Sequence, residues 1–457
     1  MIEQVSSDTK ALLAQLHAAP AVPGGWDAAL TLSRPAVEAL ILSDWNTSRD
    51  VQADHSLFWI APADVEGRYE VVEVQTELPT PVIGLNVDSQ TMRLGFKIES
   101  GSLQFANLSA DEVAHVRETG GLGAARGAIP SVVTPITPQN PLRLEGTAGF
   151  EVSTAEDRTS ISIGLNLATA TLTLSGSGNE AFSSQVSAQT LAHWLAAHKQ
   201  TFRIASLTTG SEAEAGSLSV ATVAVRIVTS TAGEEVLQIL TSSLPGVVAS
   251  SSVSGVIHPD GQDFSLLVSS QAAVTVLANA YNLGRGAIKL AAVPPEDDRV
   301  HWAALVHEPM VFEGIFGNQD GEVYVKDHAR LYMGFGGSDG GELKLFTFTD
   351  PASTIQLQLK LAADFPLGID GLGADQTIDV DQGSQSVTAT GFYEAIVQPQ
   401  LERFLTEDIK TDMTQVRMTA ISDFLLRDLV LSGHRPVLTL VALPGELLVA
   451  GSLALRG

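Results

Sequence analysis

Apolar residues that recur at every second position limit the fold of this chain more than any other feature, because only a pleated strand puts alternate side chains on one face. Ile161, Ile163, Leu165 and Leu167 form one such run. Leu172 and Leu174 resume it in the opposite phase, which predicts a bulge over Ala168 to Thr171 that bends the strand. Ile355, Leu357, Leu359 and Leu361 form a second run, Leu94, Phe96 and Ile98 a third, and Val223, Val225 and Ile227 a fourth. Strands of this kind, bent by bulges, build a curved sheet.

Helical spacing is confined to a few segments. Ser33 can cap a helix with Pro35 in its first turn, and Val37, Leu40 and Ile41 then fall on one face. A second helix is expected from about Ser184 to Lys199, with Leu191, Trp194 and Leu195 on its apolar face. The longest is expected from Gly391 to about Gln415, where Phe392, Ile396, Val397, Leu401, Phe404, Leu405, Ile409 and Met413 make a broad stripe, kinked or begun at Pro399. Pro130, Pro135, Pro138 and Pro141 follow a glycine-rich stretch and predict a long exposed connection. Residues 1–24 read as a loose leader and 25–457 as one elongated unit, with a division into lobes at about 25–205 and 206–457 as the alternative.

Charge removes several classes of partner. Lys and Arg total 26 against 52 Asp and Glu, a formal charge of −26, so a nucleic-acid backbone is repelled over most of the surface. Only 17% of residues are charged and 44% are apolar, the balance of an ordered, soluble protein with much apolar surface to bury. With no cysteine, disulfides, thiolate metal sites and a cysteine nucleophile are excluded. No run of apolar residues is long enough for a transmembrane helix. The N-terminal residues lack the basic and apolar regions of a signal peptide, so the expected location is the cytoplasm, or outside the cell by export without such a signal.

Motifs with chemical potential fail on context. Gly336-Gly337-Ser338-Asp339-Gly340 fits the nucleophile pattern of serine hydrolases, with His434 as a partner on paper. The following Glu342 to Phe348 reads as strand where an elbow needs a helix, so a hairpin turn is expected. Asn318, Asp320, Gly321 and Asp327 have calcium-loop spacing, but Phe316 occupies the first ligand position, so an Asp-Gly turn is expected. Asp370, Asp375, Asp379 and Asp381 form an acidic run that reads as a solvated loop. His193 with His198 and His301 with His307 miss the i, i+4 zinc spacing. Gly120 to Arg126 falls one glycine short of a dinucleotide loop and reads as a flexible loop. No catalytic residue, metal or cofactor is expected.

Gly25-Trp26-Asp27-Ala28-Ala29-Leu30-Thr31-Leu32-Ser33, followed by Val37, Leu40 and Ile41, resembles the opening of the clostridial OrfX and forty-seven-kilodalton proteins, of the TULIP superfamily of tubular lipid-binding folds. Leu443-Pro444-Gly445-Glu446 to Gly451 resembles the closing strand of that family. Glu38 departs from the pattern, which has asparagine there. The resemblance implies a sheet-dominated α+β fold, an elongated and strongly curved antiparallel sheet wrapped around long helices. It also implies lipid binding without catalysis and a setting in toxin gene clusters with co-encoded proteins.

Two functional readings stay open on the residues alone. In one, Leu191, Trp194, Leu195, Ile396, Leu401, Phe404 and Leu405 line a tube for a lipid or other apolar molecule. In the other they plug an ordinary core, and the protein acts through a protein partner. Trp26 and Asp27 have a structural reading in both, as an indole packed at the start of the sheet beside a carboxylate that accepts backbone N–H bonds.

Overall fold

The computed structural model describes residues 22–47, 55–60, 66–76, 80–122, 132–156, 160–176, 201–208, 220–249, 254–272 and 275, the strands given below between 290 and 389, and residues 429–442 and 446–456. A thirteen-stranded sheet dominates. Its strands in chain order are β1 (Ala28–Ser33), β2 (Val82–Asn86), β3 (Thr91–Ile98), β4 (Leu142–Thr154), β5 (Ser160–Gly176), β6 (Thr201–Thr208) and β7 (Thr222–Ser230). There follow β8 (Glu235–Ser242), β9 (Ser254–Val256), β10 (Phe264–Val268), β11 (Leu429–Leu431), β12 (His434–Ala442) and β13 (Leu447–Leu455). They lie in the order β9-β7-β8-β1-β10-β13-β12-β11-β6-β5-β4-β3-β2. All neighbours are antiparallel except β7 and β9.

The sheet curls because its strands bend where the change of phase predicts it. Thr171 of β5 pairs with Thr147, but the next register pairs Asn166 with Gly149, so β5 carries the extra residues of a bulge over 167–170. Gly146 lies against the far side of this bulge, where a Cβ would overlap the Thr171 carbonyl. A second irregularity falls between Arg203 and Ala205 of β6, and a third between Leu438 and Leu440 of β12. The bends bring the two ends of the strand order together: β2 meets β8 and β4 meets β7. Gln90, in the turn between β2 and β3, closes the gap. Its Nε2 donates to the Ile227 carbonyl at 2.8 Å and its Oε1 accepts from the Ile227 N–H at 2.9 Å, so one side chain replaces a strand on β7.

Helix α1 (Arg34–Thr47) fills this curl. Ser33 caps it, its Oγ accepting the Ala36 N–H at 3.3 Å, and Pro35 stands in its first turn as the sequence predicts. Val37, Leu40 and Ile41 are buried together with Ala36 and Trp45. The helix contacts β1, β8, β6 and β2, strands drawn from the whole strand order, so it lies inside the curl.

A four-stranded sheet (His55–Ile60, Tyr69–Thr76, Gly101–Leu108 and Val132–Ile136, in that order) stands apart from the large one. Pro135 corrects the expected long connection: it sits within the edge strand Val132–Ile136, paired with Ser102, where a missing N–H costs no ladder bond if it faces outward. Helix α2 (Ala110–Thr119) packs Val113 and Val116 against Val71, Ala106 and Leu108. Its start is a capping box of Ser109 and Glu112. Gly120, expected as part of a flexible loop, is the left-handed cap that ends α2, with φ 84°.

A seven-stranded sheet comprises Leu290–Val293, Ala303–Val306, Tyr332–Phe335, Glu342–Phe346, Ile355–Asp364 and Asp379–Asp381 in that order, with Gln385–Ala389 also paired to Ile355–Asp364. Met310–Phe316 and Gln319–Val325 form a separate hairpin. Its register corrects the expected Asp-Gly turn: Asp320 and Gly321 pair with Ile315 and Gly314 inside the ladder, and residues 317 and 318 make the connection. Gly-Asn is also a two-residue hairpin signal, and here the register of the ladder favours it over the Asp-Gly pair. The expected helices at 184–199 and 391–415 lie outside the described residues; α1 and α2, at 14 and 10 residues, are the helices named among those that are described.

Candidate functional site

The interior of the curl is the first place where a tubular fold could hold a ligand, and among the described residues it is packed. Trp45 of α1 stands 5.4 Å from Phe96 of β3 and 5.1 Å from Phe202 of β6, ring centre to ring centre, in tilted contacts. All three rings are buried, as are Leu40, Ile41, Met92, Leu144, Ile163 and Leu165. The interior is a side-chain core around α1.

Around β1 the sheet is buried in both phases. Leu30 and Leu32 are buried, and so are their strand neighbours Leu237, Ile239, Phe264 and Leu266. In the opposite phase Ala29, Leu240, Leu267 and Leu448 form a cluster with Trp26 and Val22. Asp27 sits beside it, its Oδ2 accepting the Ser243 N–H, while its backbone is bound on both sides by Thr241 and Ser269. Trp26 is therefore a packing anchor and Asp27 a turn fastener. The segments at the two ends of the chain meet here, since the Val22 N–H reaches the buried Glu446 carboxylate at 3.4 Å.

That second phase also carries a polar row that periodicity alone does not announce. Arg226, Gln238, Thr31 and Ser265 are register neighbours across β7, β8, β1 and β10, and all are buried. Arg226 Nε donates to Gln238 Oε1 at 2.8 Å, and Gln238 Nε2 donates to Thr31 Oγ1 at 3.3 Å. Burial pushes the Arg226 guanidinium below its ordinary value. Ser265 Oγ lies 3.0 Å from His258 Nδ1, and His258 Nε2 lies 3.1 Å from the Gln262 carbonyl. Burial pulls the His258 pKa down, against the Gln262 carbonyl and the charges of Glu234, Asp260 and Asp263. A hydroxyl beside an imidazole has the composition of a nucleophile and its base, but Ser265 is only 1% exposed and no substrate carbonyl reaches it. The signal in the sequence is a single polar residue at the middle of each apolar strand, with Arg226 in Val223–Ile227 and Gln238 in Val236–Leu240.

The residues expected to line a tube, Leu191, Trp194, Leu195, Ile396, Leu401, Phe404 and Leu405, lie outside the described residues, as does Ser338. The strands flanking Ser338 pair antiparallel from Phe335 with Leu343 to Tyr332 with Phe346, so the segment joins strand to strand. His434 stands in β12 with Nδ1 2.8 Å from the Ser432 carbonyl. Among the described residues no group of three or more His, Asp or Glu side chains could hold a metal ion, and no helix is long and apolar enough to cross a membrane.

In the seven-stranded sheet the backbone register sets the apolar positions of several strands in one phase. Leu361 pairs with Leu345 and Leu345 with Met333, Ala363 pairs with Leu343 and Leu343 with Phe335, and Leu357 pairs with Val387. Gln356, Gln358 and Lys360 occupy the other phase, Lys360 in register with Phe346 and Tyr332.

No family model matches the chain, and no curated protein matches it in sequence. Solved structures do. P47 from Clostridium botulinum A2 superposes with a TM-score of 0.60 at 11% identity, over 96% of this chain and all of that one. P47 of Clostridium botulinum E1 gives 0.60 at 11% identity, over 94% of this chain and 99% of that one. The chain thus has the fold of the P47 proteins, the branch that its Gly25-Trp26-Asp27 opening resembles. A lipopolysaccharide binding protein overlaps at a TM-score of only 0.33 and 9% identity, over 94% of this chain and 99% of that one.

Proposed function

We propose that this chain is a non-catalytic binding protein that holds a lipid or another apolar molecule, outside the compartment that α1 fills. The observation that carries the reading is the one-phase apolar pattern of the seven-stranded sheet, in which Leu343, Leu345, Leu357 and Leu361 share a phase with Met333 and Phe335. An apolar sheet face must be covered. The sequence at 184–199 and 391–415 has the apolar stripes that such cover requires, and acyl chains held on the sheet would need shape and apolarity but no reacting group. The strand-to-strand context of Ser338 and the enclosure of Ser265 support the absence of catalysis.

The test is extraction of the purified protein with organic solvent, followed by mass spectrometry of the extract. The expected result is a lipid or other apolar compound recovered in stoichiometric amount, released by unfolding and retained through gel filtration. A clean extract would reject the reading. It would favour an accessory protein with a filled core that works through a co-encoded partner, a reading to which the packing of Trp45, Phe96 and Phe202 already lends weight.

A further inference from the structure

The turn that follows β8 exposes aliphatic side chains on a rigid base. Leu244 is 53% exposed and Val248 86% exposed, with Pro245 and Gly246 exposed between them. The base is fastened from below. Thr222 Oγ1 donates to the Leu244 carbonyl at 2.7 Å and accepts the Gly246 N–H at 3.1 Å. Ser242 Oγ donates to the Gly25 carbonyl at 2.8 Å and accepts the Leu244 N–H at 3.1 Å. Val247 turns inward and packs on the Trp26 cluster, while Val248 points out. A loop held by this many bonds keeps two aliphatic groups fixed in water, where transfer to an apolar phase is favourable.

The composition around the tip identifies the cover. From Val236 to Ile257 no residue is charged, in a chain that is 17% charged and carries −26 overall. The Asp27 carboxylate, which reaches the base of the tip, is buried and bonded to the Ser243 N–H. A specific protein interface draws on aromatic and arginine anchors and buries about 800 Å² on each side. The tip offers no such anchor, only aliphatic side chains on an uncharged base whose Thr222 and Ser242 hydroxyls are taken up by its own backbone. That profile fits the boundary of a bilayer, where aliphatic groups without neighbouring charge enter the acyl region. The net negative charge sets the lipid: an anionic surface repels this protein, and a zwitterionic one does not.

We infer that the Leu244–Val248 tip docks reversibly on zwitterionic lipid bilayers. The inference stands on the tip and is independent of any ligand held inside the protein. Because the chain has no cysteine, Val248→Cys gives a unique attachment point for an environment-sensitive fluorophore, and Glu118→Cys on exposed α2 gives a control. With phosphatidylcholine vesicles, the label at 248 should brighten, shift to the blue and be quenched by acyl-chain quenchers, while the label at 118 should not change. Co-sedimentation with the same vesicles should fall about tenfold or more in Leu244→Asp with Val248→Asp, a loss of at least about 1.4 kcal/mol. It should resist added salt and weaken as phosphatidylserine is mixed in. Equal sedimentation of parent and double variant, or an unchanged label at 248, would overturn the inference. So would a concentration-dependent dimer that the double variant abolishes without any vesicle binding by the parent, since the tip would then belong to a second copy. Unchanged thermal unfolding of the double variant separates loss of docking from loss of fold.

Discussion

At the scale of single residues, several buried polar groups act as fasteners between strands and turns. His258 is the most informative because both ring nitrogens are engaged. Nε2 faces the Gln262 carbonyl and so carries the proton in the neutral ring, which leaves Nδ1 to accept from the Ser265 hydroxyl. Burial favours this neutral form and holds the pKa below its ordinary value of 6.5, with Glu234, Asp260 and Asp263 opposing. The unfolded chain therefore binds the proton more readily. Stability from this group is complete above the ordinary value and declines as the pH falls towards and through the folded value. Chemical denaturation between about pH 7 and about pH 5 should show the parent losing stability, with a shallower loss in His258→Gln. Equal slopes would mean that His258 titrates normally in the fold. Neither this pairing nor the Arg226–Gln238–Thr31 bonds can be read from the sequence, because partners up to 207 positions apart are brought together by strand order alone. Trp26 and Asp27 were different: a large indole and a turn-forming carboxylate at the mouth of an alternating strand already suggest an anchor and a fastener.

Elements were legible where local chemistry decides them. Ser33, Pro35 and the spacing of Val37, Leu40 and Ile41 announce α1, and the change of phase between Leu167 and Leu172 announces the bulge in β5. The capping box of Ser109 and Glu112, with Gly120 after Arg117, was equally present for α2, and only its short apolar face of Val113 and Val116 hid it. Hydrogen bonds from Ser109 hold the Glu112 carboxyl below its usual range, as such a cap requires. What no local pattern could give is how strands at opposite ends of the order are joined. Gln90 does this by binding both backbone groups of Ile227, from a left-handed conformation with φ 53°. Gln90→Ala should leave that N–H and carbonyl without their partner at the seam and cost about 1–3 kcal/mol. Hydrogen exchange should localise the change, with the amide of Ile227 losing protection and those in the middle of β1 keeping theirs. Unaltered exchange at Ile227 would show that the curl is held shut by side-chain packing alone.

For the whole molecule, the GWD and closing PG segments pointed to a fold that only three-dimensional comparison could establish, since 11% identity leaves almost no sequence trace while 96% of the chain still superposes. Curvature followed from the bulges, but the sheet order, with β1 between β8 and β10, did not, because long-range pairing is set by which edges meet. The remaining question is whether one protein contains both a filled and a ligand-holding compartment, and two leucines separate these. Leu40 is 0% exposed at the centre of the filled curl, so Leu40→Ala should cost about 2–5 kcal/mol whether or not lipid is present. Leu405, in the stripe proposed to contact a ligand, should behave otherwise. Leu405→Ala should cost less than Leu40→Ala in the lipid-free protein, and Leu405→Trp should be accepted there, whereas overpacking a filled core costs about 1–3 kcal/mol. Re-addition of the extracted lipid should raise the unfolding temperature of the parent and of Leu40→Ala by the same amount, and that of Leu405→Trp by less, because the ring occupies volume the ligand needs. Strong destabilisation by both Leu405 variants, with no response to lipid in any of the proteins, would make the stripe ordinary core and remove the case for an apolar ligand.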